Sequence, residues 1–154
     1  MYEWDFSVIP MNADLLIMGL YGTIKVFVSA FVIGFPSGLI LALMRLSRFK
    51  IISIPIGLFI DFLRSTPALI LLFWFFFAFP IIIGLMIQAF LAATLTLAIV
   101  AAAFYAEIFR AGINSIERGQ WESASALGMT RLELLRRVIL PQAIKRMIPA
   151  FLER

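Results

Sequence analysis

The sequence contains no cysteine and no histidine. The first absence excludes disulfides, thiolate metal sites and thiol nucleophiles. The second removes the side chain that most often serves as metal ligand or general base near neutral pH. Charge is also scarce, at 14% of residues, and none falls between Ser65 and Ala106. An intramembrane enzyme would need a nucleophile and a base in that interval, where Tyr105 is the one ionisable group, so this class is set aside.

What fills the space left by charge is apolar. The chain of 154 residues is 63% hydrophobic, with mean hydropathy +1.04. Soluble domains are roughly half apolar, so much of this surface must face lipid. One hydrocarbon crossing takes about 20 helical residues. The uncharged interval therefore has room for more than one crossing. The block Leu15 to Met44 is too long, and begins too far into the chain, to read as a cleaved signal.

Orientation follows from the cations, because Lys and Arg in short loops stay on the cytoplasmic side. The first fourteen residues carry Glu3, Asp5 and Asp14 and no cation; Arg45, Arg48 and Lys50 follow the first block; from Arg110 onward eight cations face four anions. This places the N-terminus outside and both basic regions in the cytoplasm, with an even number of crossings between them. The uncharged outer turn falls at Phe79, Pro80 and Gly84, and three crossings result, at about residues 13–44, 51–79 and 85–109. The net charge of +4 is explained by this topology rather than by a nucleic-acid partner. Lys25 lies one hydrocarbon thickness, ~30 Å of helix, before Arg45 and is expected to snorkel to the outer headgroups; a place in the substrate path is the second reading.

The third crossing is rich in Ala and Thr, which lets membrane helices approach closely, and is expected to be central. The run Leu71 to Phe77 is bulky and suits lipid or a neighbouring subunit. At its entry Ser65 or Thr66 is a helix cap and Pro67 suits a first helical position. Asp61 with Arg64, and Glu107 with Arg110, stand at i and i+3 near the inner boundary; pairing is the main expectation and a share in a gate or pathway the second. Gln88, Thr94 and Thr96 read first as interhelical hydrogen-bonding groups and second as pathway residues. From Ser115 the chain turns polar. Gly128 fits a helix stop, Thr130 and Glu133 form a capping box, Glu133 and Arg137 are one turn apart, and Leu132, Leu135 and Val138 share a face of a second helix that meets Pro141. The architecture is all-α and polytopic, with about three transmembrane helices and a cytoplasmic helix-turn-helix.

Glu122, Ser123 and Ala124, then three residues, Gly128, nine residues, then Val138, Ile139, Leu140 and Pro141 resemble the EAA loop of ABC importer permeases: E-A-A, three residues, G, nine residues, I-x-L-P. Phe62 to Pro67 is similar to the F-x-R-G-T-P motif of the polar amino acid branch (His, Glu, Gln, Arg and opine carriers), with Ser65 for Gly, and residues 103–120, AFYAEIFRAGINSIERGQ, match its third-helix exit. Gly19, Thr23, Gly34, Gly38, Arg45, Leu46 and Ser47 extend the likeness over nearly the whole chain. The resemblance implies one permease domain over residues 1–154 of a type I importer in a bacterial inner membrane. Its cytoplasmic coupling region is residues 115–141, and Gly119, Glu122, Ser123, Ala124, Leu127, Gly128, Leu140 and Pro141 dock on and follow a separate ATPase. It implies that ATP and Mg sit in that ATPase and no cofactor in this chain. The implied partners are ATPase subunits, a second permease subunit, a periplasmic or lipoprotein solute-binding protein and lipid. Asp61, Arg64, Thr66, Pro67, Gln88, Thr94, Thr96 and Glu107 are carried as gate or pathway candidates. Family members normally continue past Pro141 with two more membrane helices and an L-K-D-T-S-L-like segment, so the chain reads as a partial domain. The opening M-Y-E-W-D-F is similar to glutamate and aspartate permease subunits. A passive channel or a structural membrane protein is the alternative, and neither needs the EAA spacing.

Overall fold

The computed structural model describes residues 6–84 and 86–153. Glu3, Asp5, most of the opening segment and Leu85 lie outside the described residues. The order of elements is α1 (Val8–Met11), α2 (Ala13–Arg45), α3 (Lys50–Ser65), α4 (Ala68–Phe73), a π turn (Trp74–Ala78), α5 (Phe79–Ile83), α6 (Ala89–Asn114), α7 (Arg118–Ala126), α8 (Arg131–Leu134), a second π turn (Leu135–Ile139) and α9 (Leu140–Leu152). No strand occurs among the described residues.

Helices α2, of 33 residues, and α6, of 26, are each apolar and long enough to cross a membrane. They form the main packing unit and run parallel, Gly34 against Ala98 and Gly38 against Ala102. The contact face of α2 is a stripe of small residues four apart, Ala30, Gly34, Gly38 and Ala42, all buried. In lipid no hydrophobic drive holds two helices together, and small residues substitute close backbone approach. As expected, α6 is central: Ala92, Ala98, Ala102, Ala103 and Ala106 are all buried. Parallel helices with their Arg45 and Arg110 ends together require the chain between them to cross back once, in agreement with the even count.

That return differs from the straight crossing expected at 51–79. It is a helix pair, Lys50–Ser65 and Ala68–Ile83, bent by 101°. The cause is local. A proline ring clashes with an α-helical residue before it, and Thr66 is accordingly extended, at φ −94° and ψ 126°. Pro67 is the N-cap of α4, not its first helical residue. The hydroxyls of Ser65 and Thr66 donate backward, to the carbonyls of Asp61 and Phe62 at 2.8 Å each, so they close α3 and leave α4 without a side-chain cap. Each arm has fewer than the about 20 residues a straight crossing needs.

The outer turn lies later than expected. Phe79 and Pro80 are helical, and the stop is Gly84, at φ +69°. Both π turns end two residues before a proline, Ala78 before Pro80 and Ile139 before Pro141. A proline inside a helix cannot donate, and its ring crowds the carbonyl four residues back. Widening the preceding turn to i→i+5 bonding relieves that crowding. Pro141 therefore does not end the helix that starts at α8, which runs on through α9 to Leu152.

Candidate functional site: the turn at Gly128 and the charged ladder

The segment after α6 folds as a helix, a glycine turn and a helix. At the end of α7, Gly128 takes φ +75°. Its N–H donates to the Ser125 carbonyl at 3.0 Å, and the Met129 N–H donates to the Ala124 carbonyl at 3.3 Å. These two bonds make a Schellman stop, which requires a left-handed residue at this position. The capping box follows as expected. The Thr130 N–H donates to the Glu133 carboxylate at 3.0 Å, and the Glu133 N–H approaches Thr130 Oγ1 at 3.4 Å. The Thr130 hydroxyl also donates to that carboxylate, at 2.8 Å. This hydroxyl bond, then the backbone bond, then the field of Arg137 hold the Glu133 carboxyl below its ordinary pKa. The carboxylate is spent on Thr130, and Arg137 contributes only its field.

The predicted coupling residues divide by burial. Gly119, Glu122, Ser123, Leu127, Gly128, Leu140 and Pro141 are exposed, Leu127 to 78%. Ala124 is not: it is buried in the chain's own core and anchors α7 from beneath. Trp121 and Met129 pack against that same core, which runs through Ile116, Leu134, Ile139, Ala143 and Met147 to Ala106 of α6, Ala42 of α2 and Ile60 of α3. Gln142 donates to Gln120 at 3.1 Å, and the Arg146 guanidinium donates to the Ser115 carbonyl. The helix pair is thus fixed to the membrane helices at its root and exposed at its tip. The buried face of the second helix is Leu134 and Ile139, with Leu135 and Val138 half-buried and Leu132 75% exposed. A Leu132, Leu135, Val138 face assumes a period of 3.6; the π turn places Leu134 and Ile139, five apart, on one side.

The C-terminal parts of α2, α3 and α6 carry charges of alternating sign. The Arg45 guanidinium grips Asp61 with two parallel bonds, Nη1 to Oδ1 and Nη2 to Oδ2, at 3.1 Å each, and its Nη1 also donates to Glu107 Oε2 at 3.1 Å. Arg110 grips Glu107 in turn, with Nε to Oε2 at 2.9 Å and Nη2 to Oε1. The expected Glu107–Arg110 pair is formed. Asp61 and Arg64 approach only to 3.9 Å, since Asp61 is turned to Arg45, and the Arg64 guanidinium lies over the Phe104 ring at 5.5 Å. Sequence spacing missed Arg45 as the central member because its partners lie on other helices. Near the bilayer boundary such pairing offsets the desolvation of each charge.

The remaining pathway candidates do not join this cluster. Thr66 and Pro67 form the bend. Gln88 is the exposed N-cap of α6, at the opposite end of that helix from Glu107. Thr96 is buried and donates to the Ala92 carbonyl of its own helix at 2.7 Å, not across to a neighbour. Thr94 is buried, and its Oγ1 has no hydrogen-bond partner among the described residues. Lys25 stands over Tyr21 at 5.1 Å, a cation–π contact suited to an interface anchor.

Comparison with known proteins agrees with this geometry. Residues 34–152 match the family described as binding-protein-dependent transport system inner membrane component. The glutamate/aspartate import permease protein GltK of Escherichia coli O6:H1 is 39% identical over 99% of this chain and 71% of its own length. The arginine transport system permease protein ArtQ of Bacillus subtilis is 35% identical over 95% of this chain and 67% of its own. A crystal structure of an amino acid ABC transporter with histidines superposes with a TM-score of 0.89 at 40% identity, covering 97% of this chain and 69% of that one. With a family match over most of its length, helices built to cross a membrane more than once and relatives of this kind, the chain belongs to the family of binding-protein-dependent transport system inner membrane components.

Proposed function

We propose that this chain is the permease subunit of an ATP-driven amino acid importer and that α7 is the element that receives the ATPase stroke. The observation that carries the reading is the α7–Gly128–α8 unit, exposed at its tip and rooted in one continuous core with α2, α3 and α6. A unit of this kind passes a push to the membrane helices without dissipating it in a flexible loop. Gly128 is set by its left-handed turn, but Gly119 has nothing within 4 Å of an added Cβ among the described residues, so no packing there demands its smallness; a partner surface would. The chain carries the coupling step, and ATP and Mg belong to the separate ATPase.

The orientation that follows puts the N-terminus outside and residues 115–141 in the cytoplasm. A second permease subunit completes the pathway, and a solute-binding protein delivers the amino acid. Acidic amino acids are the first choice of substrate, supported by the likeness to GltK; glutamine, cystine and basic amino acids follow. The test is reconstitution of the full-length protein with its genomic neighbours, an ATPase and a binding protein. ATPase activity should rise with glutamate- or aspartate-loaded binding protein. A binding protein that takes sugars, phosphate or metal ions and no amino acid would end the amino acid assignment, and a pore open without any ATPase would favour the channel reading.

A further inference from the structure

We propose that Arg45 is a positioning residue that locks the inner ends of α2, α3 and α6 into one rigid body, so that a push entering at α7 moves the bent α3–α4 pair along with α6. The inference rests on the coupling role proposed for α7. Its evidence is the ladder itself. From α6 through α2 to α3 the charges run Arg110, Glu107, Arg45, Asp61, Arg64, and Arg45 is the one member with bonds to two other helices. Without it, direct bonding of the ladder between α3 and α6 ends, because Glu107 is left to Arg110 of its own helix and Asp61 to Arg64 of its own.

The surroundings make the lock specific. Gly57 of α3 is buried, and a Cβ there would lie 3.6 to 3.9 Å from the Arg45 guanidinium, which is ordinary contact, so the guanidinium packs along this turn of α3 and a side chain larger than alanine would meet it. A polar cleft of about 470 Å³ opens beside it, lined by Arg45, Asp61, Gly57, Arg110 and Asn114. Away from this cleft α3 joins the shared apolar core through Ile60 and Leu63, and its Arg64 lies over Phe104 of α6, so packing holds α3 near α6 while the ladder fixes its direction. The 101° bend begins only four residues beyond Asp61, at Ser65. Without the ladder, α3 keeps its apolar contact with α6 but has a hinge at hand that lets its angle to α6 vary.

The position also explains why an arginine serves. Its planar fork holds both Asp61 oxygens while Nη1 is shared with Glu107. A lysine carries the charge but holds neither the parallel pair nor both helices at fixed angles.

The test uses the full-length permease assembled with its ATPase and binding protein in lipid. Spin labels go on Ile54→Cys of α3 and Asn114→Cys of α6, both at the cleft, in a sequence free of other cysteines. Labelled chains are diluted with unlabelled ones so that distances within one chain are read. One narrow distance, the same without nucleotide and with ATP, is expected in the parent. In Arg45→Ala the distance should broaden, and amino acid transported per ATP should fall by about fivefold or more, within the range of ordinary coupling energies. Arg45→Lys should show part of that loss. Gly57→Leu, which displaces the guanidinium while keeping every charge, should reproduce the full loss if Arg45→Ala does not assemble. A purely structural role would lower the yield of assembled transporter and leave the ratio per ATP unchanged. A parent distance that changes between the two nucleotide states, or parental distance and ratio in both Arg45→Lys and Gly57→Leu, would overturn the proposal. A parent ATPase that ignores loaded binding protein would instead overturn the coupling role on which the proposal rests.

Discussion

The Cβ that Gly38 lacks would stand 2.7 Å from the Cβ of Tyr105 and 2.9 Å from the Ala102 carbonyl oxygen. At that separation neither backbone nor ring base can yield without moving α2 away from α6. Gly38→Ala should therefore destabilise the protein by about 1–3 kcal/mol, the usual range for overpacking. Gly34→Ala, 2.9 Å from the Ala98 carbonyl, should behave likewise. Gly19→Ala, with nothing within 4 Å, is the matched control. Thermal melting in detergent checks the three; equal melting temperatures for Gly38→Ala and Gly19→Ala would refute the close contact.

The turn at Gly128 separates backbone strain from side-chain clash. A left-handed φ of +75° costs an ordinary L-residue about 1–2 kcal/mol, and Asn or Asp less. Since nothing lies within 4 Å of an added Cβ, Gly128→Ala should be less stable than Gly128→Asn even though alanine is smaller. Gly128→Asp should insert and fold yet uncouple transport, because its charge projects toward the partner. Full substrate-stimulated ATPase activity in Gly128→Asp would count against docking at this turn.

Acid should loosen α8 at its start. The Glu133 carboxyl has a folded pKa below its unfolded one, so its contribution is present above the unfolded value and is lost as pH falls through the folded value, below the ordinary 4.5. Protonation removes the acceptor for the Thr130 N–H and hydroxyl. Hydrogen exchange of the amides of residues 130–134 should accelerate as pH drops through that window, after correction for intrinsic rates. In Glu133→Gln the same amides should show no such pH dependence.

Orientation is testable because the sequence has no cysteine background. A cysteine at Asn12, exposed before α2, should react with an impermeant reagent from outside. One at Gln120, on α7, should react only after permeabilisation. The reverse pattern would invert the topology.

Much of this was legible in sequence because the signals are local. The small residues of α6, the stop at Gly128 and the Thr130–Glu133 box each depend on neighbours within one or two turns. The bend at Thr66–Pro67 is also local, but a proline suits a first helical position as well as a break, and only the extended Thr66 shows that it divides the 51–79 crossing into two arms. The face of the second helix is not legible in sequence because a π turn shifts the period, and no residue pattern announces it beyond Pro141 two places on. Arg45 was seen as a topological cation and not as a bridge, since its acceptors Asp61 and Glu107 are 16 and 62 residues away in sequence. Pairings of that range become visible only when helices are placed side by side. A motif alone does not separate Ala124, turned inward, from Ser123 beside it, turned outward.

Site-directed cross-linking tests whether the exposed face of α7 meets the ATPase. A short photoreactive label on Ser123→Cys, in the full-length permease assembled with its partners, should yield a covalent adduct with the ATPase subunit whose amount changes between the nucleotide-free and ATP-bound states. A label on Phe76→Cys, on the bulky second helix arm, should yield none. Absence of any ATPase adduct from Ser123→Cys and Leu127→Cys, in a transporter that still hydrolyses ATP in response to substrate, would contradict the account.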